Sequence, residues 1–124
     1  MEPPVERVRI SQAGKDQLIK LKRVTKIDQW NILCRWAFCH SLAEHTPPSP
    51  IAIPADSNVE MTWQVFAGGI SDLFILALKQ RCHKDGITLN QENLSIQFRL
   101  HLHRGIGYLA ADFKKIQDLF SFPG

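Results

Sequence analysis

Apolar and polar positions recur with two different periods along this chain, and each change of period marks an element. Val8 and Ile10 stand on one side of residues 5–10 and Arg7 and Arg9 on the other, which predicts a short strand with one packed and one cationic face. Ser11 follows with a hydroxyl suited to capping a helix that runs to about residue 24, and Ile10 can staple its entry. Leu18, Leu21 and Val24 line the inner side of that helix. Asp28 is placed to cap a second helix over residues 29–44. In that helix Trp30, Ile32, Leu33, Cys34, Trp36, Ala37, Phe38, Leu42 and Ala43 leave Arg35 as the only central charge. A helix apolar on nearly every side must be covered on every side, so part of the cover is expected from another subunit.

Strand, capped helix, turn and buried helix is the order of a ribbon-helix-helix unit, in which two chains pair their short strands into a ribbon able to enter the DNA major groove. Such pairing would stabilise a strand too short to stand alone; the alternative is a merely extended N-terminal arm. Residues 46–54, TPPSPIAIP, follow as a stiff connector whose four prolines forbid helix. Val59, Met61, Trp63 and Val65 then alternate with polar residues and predict a strand over 59–66, closed by a turn at Gly68-Gly69. Ser71 is expected to cap a helix to residue 85 that stops at Gly86 with Lys79, Arg81 and Lys84 near its end. Thr88 and Gln91 resemble a capping box, whereas Leu94, Ile96, Phe98, Leu100 and Leu102 alternate as a strand would. The cap and the length favour helix to about 103. Gly105 and Gly107 are expected to break it, before Leu109, Phe113, Ile116 and Phe120 mark a terminal helix. The expected fold is therefore mainly α and oligomeric. It comprises one domain: a basic ribbon-helix-helix-like unit over 5–45, a connector over 46–57 and a mainly helical extension over 58–124.

Composition adds one feature to this pattern. The 124 residues carry 15 Lys and Arg against 12 Asp and Glu, a formal net charge of +3. The whole excess lies in residues 1–46, with eight basic and five acidic groups; residues 47–124 hold seven of each. Lys15, Lys22 and Lys26 recur at i, i+7 and i+11 and predict a basic stripe along the first helix. Together with Arg7, Arg9, Lys20 and Arg23 they form the candidate DNA-binding set, since Lys and Arg neutralise phosphates whatever the base sequence. The competing reading is a solvated basic face. A hydrophobic content of 44% excludes a disordered chain, and the apolar runs fall short of the ~18 residues a membrane span needs. MEPPVERVRI has no apolar core and is not expected to act as a secretion leader, and three cysteines, an odd number, point to reduced thiols in the cytoplasm.

Intrinsic catalytic chemistry has little support. Cys34, Cys39, Cys82, His83, His101 and His103 stand in no C-x2-C or H-x3-H spacing, so no metal site and no cofactor are expected. His101 and His103 flank RGIGY (residues 104–108), which can be read as a backbone nest for an anion or simply as glycine ending a helix. No nucleophile elbow, Walker A loop or dinucleotide fingerprint occurs.

The segments WNILCRWAFC (30–39), DSNVEMTW (56–63), LKQRCHKDG (78–86) and FRLHLHRGIGYLA (98–110) closely resemble the DndE family. These are small proteins of bacterial DNA sulfur modification, or phosphorothioation. The likeness spans about residues 7–111. It implies a cytoplasmic, ribbon-helix-helix-like, tetrameric accessory protein that binds DNA, with a preference for nicked duplex, through surface lysines. It also implies partners that carry the sulfur chemistry: a cysteine desulfurase, an iron–sulfur subunit resembling ATP pyrophosphatases, and an ATPase. The lysine role carries over to Lys15, Lys20, Lys22 and Lys26 as a charged patch; Arg7 and Arg9 come from the strand pattern. An adaptor that scaffolds the complex with little DNA contact and a DNA-nicking enzyme are the alternatives.

Overall fold

A computed structural model describes residues 1–120, with the side chain of Phe120 and residues 121–124 outside the described part. The end of the expected terminal stripe, at Phe120, and the last residues of the 58–124 extension therefore lie outside it. The elements run β1 (Arg7–Arg9), α1 (Gln12–Thr25), α2 (Trp30–Ala43), β2 (Glu60–Thr62), α3 (Trp63–Ala67), α4 (Ser71–Lys84) and α5 (Gln91–Phe120), with one turn of 3-10 helix over Gly68–Ile70. The fold is mainly helical, as the periodicity indicates.

The strand β1 finds its partner within the same chain. It pairs antiparallel with β2 in the register Arg7↔Thr62, Val8↔Met61 and Arg9↔Glu60. Ile10 N–H to the Val59 carbonyl and Trp63 N–H to the Glu6 carbonyl extend the ladder at its two ends. A sequence-distant strand of the same chain thus satisfies one edge of β1. That partner is itself shorter than the alternation over 59–66 predicts. The Thr62 hydroxyl accepts the Val65 N–H at 3.2 Å and turns the chain into α3, which buries Trp63, Phe66 and Ala67 at i, i+3 and i+4 while Val65 stays exposed.

Helix ends follow capping chemistry, at residues that differ in part from those expected. Ser11 caps α1 by accepting the Gly14 N–H at 3.0 Å, and Asp56 adds a second acceptor for the Gln12 N–H at 2.7 Å. Asp28 does not cap α2, whose N-cap position is Gln29 without a side-chain bond. Ser71 is the first helical residue of α4, with Ile70 in the N-cap position, so it does not cap the helix; its Oγ accepts the Trp63 indole N–H at 2.8 Å. Asn90, not Thr88, serves α5 by accepting the Asn93 N–H at 2.8 Å. Gly86 does close α4. At φ 75° it donates to the His83 carbonyl while Ile87 donates to the Cys82 carbonyl, the double closure that a left-handed residue permits.

The long helix α5 overturns the expected break at Gly105 and Gly107, and with it the backbone nest around residues 104–108. It runs unbroken for 30 residues, and its glycine at 105 is there for contact: an added Cβ would lie 1.7 Å from the Ala37 carbonyl oxygen of α2. The alternating Leu94, Phe98 and Leu102 are buried as a helical stripe, with Leu100 buried beside them, and Ile96 faces outward. Phe38 of α2 stands at the centre of the core, with ring centroids 5.2 Å from Phe98, 5.9 Å from Phe66 and 6.0 Å from Phe74. The core is one cluster drawn from both sides of the connector, Val8 to Ile106. The inner face of α2, with Leu33, Cys34, Ala37 and Phe38, is therefore covered by this chain's own helices. Trp36, 50% exposed, and Cys39 remain outside.

The two glycines of α5 make opposite predictions. Gly105→Ala should destabilise the fold by about 3 kcal/mol or more, since rigid backbone faces the new methyl. Gly107→Ala, with its nearest neighbour 4.0 Å away, should gain up to about 1 kcal/mol of helix propensity. Urea denaturation of both variants checks the pair.

Candidate nucleic-acid interface

The candidate cations divide into three groups. In β1 the burial alternates, Val8 inward and Arg7 and Arg9 outward, so the strand presents two guanidiniums to solvent. Glu60, opposite Arg9 in the ladder, meets both: Arg7 Nη2 donates to it at 3.0 Å and Arg9 Nε lies 3.7 Å away. Lys15 of α1 joins this group through Asn58, whose Oδ1 accepts from its Nζ at 2.6 Å. These pairs are exposed and worth at most about 1 kcal/mol each, so they orient the side chains without removing them from a competing phosphate.

The far end of α1 holds the second group. Lys22 Nζ rests 3.6 Å from the centre of the Trp30 ring, while Arg23 is exposed beside it. Lys26 is exposed too, but it lies past the helix in the left-handed region at φ 61°, its N–H bonded to the Lys22 carbonyl. The stripe of Lys15, Lys22 and Lys26 is therefore interrupted: its first member is tied to the β2 loop, its second to an indole, and its third leaves the helix. Lys20 forms the third group on another side of α1. It lines a 450 Å³ groove against α5, with Leu21, Val24 and Phe113 as apolar wall and Lys114 on the opposite rim. Lys114 was not legible as a candidate because nothing local in the sequence sets it opposite Lys20.

The remaining arginines are largely structural. Arg81 Nη1 donates to the Leu42 and Glu44 carbonyls and its Nη2 to that of Thr46, while its Nε bonds Asp85. Arg104 holds the Ser41 carbonyl at 2.9 Å and that of Thr46 at 2.6 Å. Both arginines satisfy the carbonyls that the end of α2 leaves open. Arg35 does the same for Val65 and Phe66 at the end of α3.

The two buried cysteines are held quiet by their surroundings. Burial pushes the Cys34 thiol up to about 12 and, together with Asp85, that of Cys82 up to about 11, so neither supplies a thiolate. Among the described residues no three His, Cys, Asp or Glu side chains gather as a metal site, and no helix is long and apolar enough to cross a membrane.

A family model described as DNA sulphur modification protein DndE matches residues 7–117. The chain belongs to the DndE family, which is involved in DNA phosphorothioation. Its fold is similar to the crystal structure of DndE from Escherichia coli B7A, involved in DNA phosphorothioation modification, at 28% identity and a TM-score of 0.70 over 85% of this chain and 96% of that one. It is also similar to a DndE glycine-to-lysine mutant involved in DNA phosphorothioation, at 26% identity and a TM-score of 0.67 over 86% and 98%. A search of curated protein sequences finds no match.

In this DndE family member two histidines pin α5 to the rest. The His103 Nδ1–H donates to the Arg99 carbonyl, which leaves Nε2 to accept the Ser11 N–H at 3.1 Å, so the ring is neutral and fully bonded. His101 bonds Ser41 Oγ at 2.8 Å; burial first, then the charges of Arg104 and Arg81, bring its pKa down to about 4. Burial lowers that of His103 as well. Both lowered pKa values mean that the unfolded chain takes up protons first, near pH 6.5. Stability is therefore complete above about pH 6.5 and should fall as the pH drops below it, by roughly 1.4 kcal/mol per pH unit for His101 on the way to about pH 4, with His103 acting in the same direction. Urea unfolding across that range, with a shallower slope in His103→Gln, checks this.

Proposed function

We propose that the chain is a non-catalytic DNA-binding subunit of the phosphorothioation machinery, acting in the cytoplasm beside the proteins that carry the sulfur chemistry. The observation that carries this reading is the set of exposed cations on two sides of α1 and at its end: Lys20, Arg23 and Lys26 have no carboxylate partner among the described residues, while Arg35, Arg81 and Arg104 are consumed by helix ends. Arg7, Arg9 and Lys15 extend the cationic surface along β1 and Lys22 lies within it. Lys26 strengthens the reading. A lysine in a backbone region that favours glycine costs about 1–2 kcal/mol, a strain expected where the side chain has work to do.

Fluorescence anisotropy on nicked and intact duplex tests this. Affinity should fall steeply with salt, and replacing Lys20, Arg23 and Lys26 together by glutamine should reduce the salt slope by up to about 3. Lys26→Gly alone should bind more weakly yet be more stable, by about 0.5–1 kcal/mol. Duplex affinity independent of salt, or unchanged in the triple variant, would sink the reading.

A second reading, a protein-interaction role in a homo-oligomer, a tetramer in the fullest form, is favoured by the outer faces of α2 and α4. These helices lie side by side, Ala43 and Ala77 lining one cleft, and they leave Trp36, Leu73 and Leu76 each at least half exposed. A ribbon-helix-helix-like arrangement remains available through β1, α1 and α2 in such an assembly. Light scattering should find an oligomer that Trp36→Glu with Leu73→Glu converts to monomer; a monomeric parent at micromolar concentration would remove this reading.

A further inference from the structure

Two helices turn matching stripes toward the groove between α1 and α5. Gln17, Lys20, Leu21 and Val24 stand at i, i+3, i+4 and i+7 on α1. Gly107, Ala110, Ala111 and Lys114 repeat that spacing on α5. Each stripe covers two turns, about 10 Å of helix. Leu21, Val24 and Phe113 give the groove apolar walls, while Lys20 and Lys114 stand exposed at its rims. No carboxylate lines it, and neither lysine is ion-paired among the described residues. Gly107 adds a second observation. A glycine inside a helix costs about 1 kcal/mol against alanine. Nothing in the chain requires this one, because an added Cβ would meet only the end of the Gln17 side chain, at 4.0 Å. It leaves a gap in the wall of the groove where another chain can approach closely.

We propose that this groove docks an acidic amphipathic helix of a partner protein, its apolar seam on the walls and its carboxylates against Lys20 and Lys114. A helix seated between two others buries its seam against both, and anchors at i, i+4 and i+7 fit a groove two turns long. Charge selects the partner. Counting Lys and Arg, α1 carries four cations and one carboxylate, and α4 three and one. In α5 there are four and three, and α2 has a single arginine and no carboxylate. No helix of this chain therefore has an excess of carboxylates, so a second copy would bring cations to a cationic rim. Phosphates of a duplex would meet the two lysines but bury nothing against Leu21, Val24 and Phe113. An acidic amphipathic helix serves walls and rims together. The inference stands apart from the DNA-binding reading, with Lys20 the one residue they share.

The probe is a helical peptide of about 16 residues built from Leu, Ala and Glu, with leucines at i, i+4, i+7 and i+11 and glutamates on both flanks. Titrated into the full chain under NMR, it should bind saturably below about 1 mM and shift the backbone amides of residues 20–24 and 107–114. The same composition with leucines scattered round the helix should bind about 10-fold more weakly, because the walls read the seam. Lys20→Glu with Lys114→Glu should weaken the acidic peptide roughly 10-fold and transfer binding to its counterpart with lysines for glutamates. Gly107→Leu fills the groove without altering charge. It should abolish peptide binding and leave duplex affinity and its salt slope unchanged, with circular dichroism confirming that the variants fold. Equal binding of the ordered and scattered peptides, or no saturable shift in the groove, overturns the docking site; duplex bound by the same sample leaves DNA binding standing. Duplex affinity lost in Gly107→Leu assigns the groove to nucleic acid and overturns the inference. A parent oligomer that the peptide or Gly107→Leu converts to monomer assigns it to a second copy, which overturns the inference as well. Peptide held in the groove of a chain that takes no duplex removes the DNA-binding reading and leaves the docking site.

Discussion

The close crossing of α5 over α2 at Gly105 is the constraint on which the rest of this structure depends. With no side chain at that point, the backbone of one helix reaches the Ala37 carbonyl of the other. The approach brings Phe98 against Phe38 and aligns His101 with Ser41 and Arg104 with the end of α2. A larger residue would separate the helices and weaken all of these contacts together, because interiors packed to crystal density have little room to yield. The same crossing lets α5 continue for another four turns, carrying Lys114 to the groove opposite Lys20.

Charge in this family member is distributed by the needs of helix ends before those of any partner. Arg81 and Arg104 close on carbonyls released by α2, and Arg35 on those of α3. An arginine serves this purpose because its rigid fork can satisfy several acceptors while its charge opposes the negative end of the helix dipole. The formally neutral second half of the chain thus commits two cations to the end of α2, and the cations left at the surface are concentrated around α1 and β1. That is an electrostatic argument for an anionic partner stronger than the net charge of +3.

The candidate site was legible in parts. Val8 flanked by Arg7 and Arg9 was readable as a two-faced strand, and Ser11 as a cap, because both depend on neighbours in sequence. Glu60 as the shared partner of the two arginines was not readable, since its contact spans 53 residues to Arg7. Nor was the bond from the Ser11 N–H to His103, which spans 92 residues. The lysine spacing assumed a helix long enough to hold all three members of the stripe, but Lys26 falls in the left-handed residue that ends it.

What the sequence determined by itself was local and periodic: mainly helical elements, the capped start of α1, the glycine stop of α4 and family membership carried by long Trp-, Cys- and His-bearing segments. Periodicity and capping act over a few residues, so one dimension contains them. Tertiary structure alone decided the partner of β1, the continuity of α5 through two glycines and the docking of Arg81 and Arg104 on the end of α2. Glycine lowers helix propensity by only about 1 kcal/mol, and a close packing contact outweighs that. The pairing of distant backbone donors and acceptors likewise depends on which segments the core brings together, and that is settled only when the whole chain has packed.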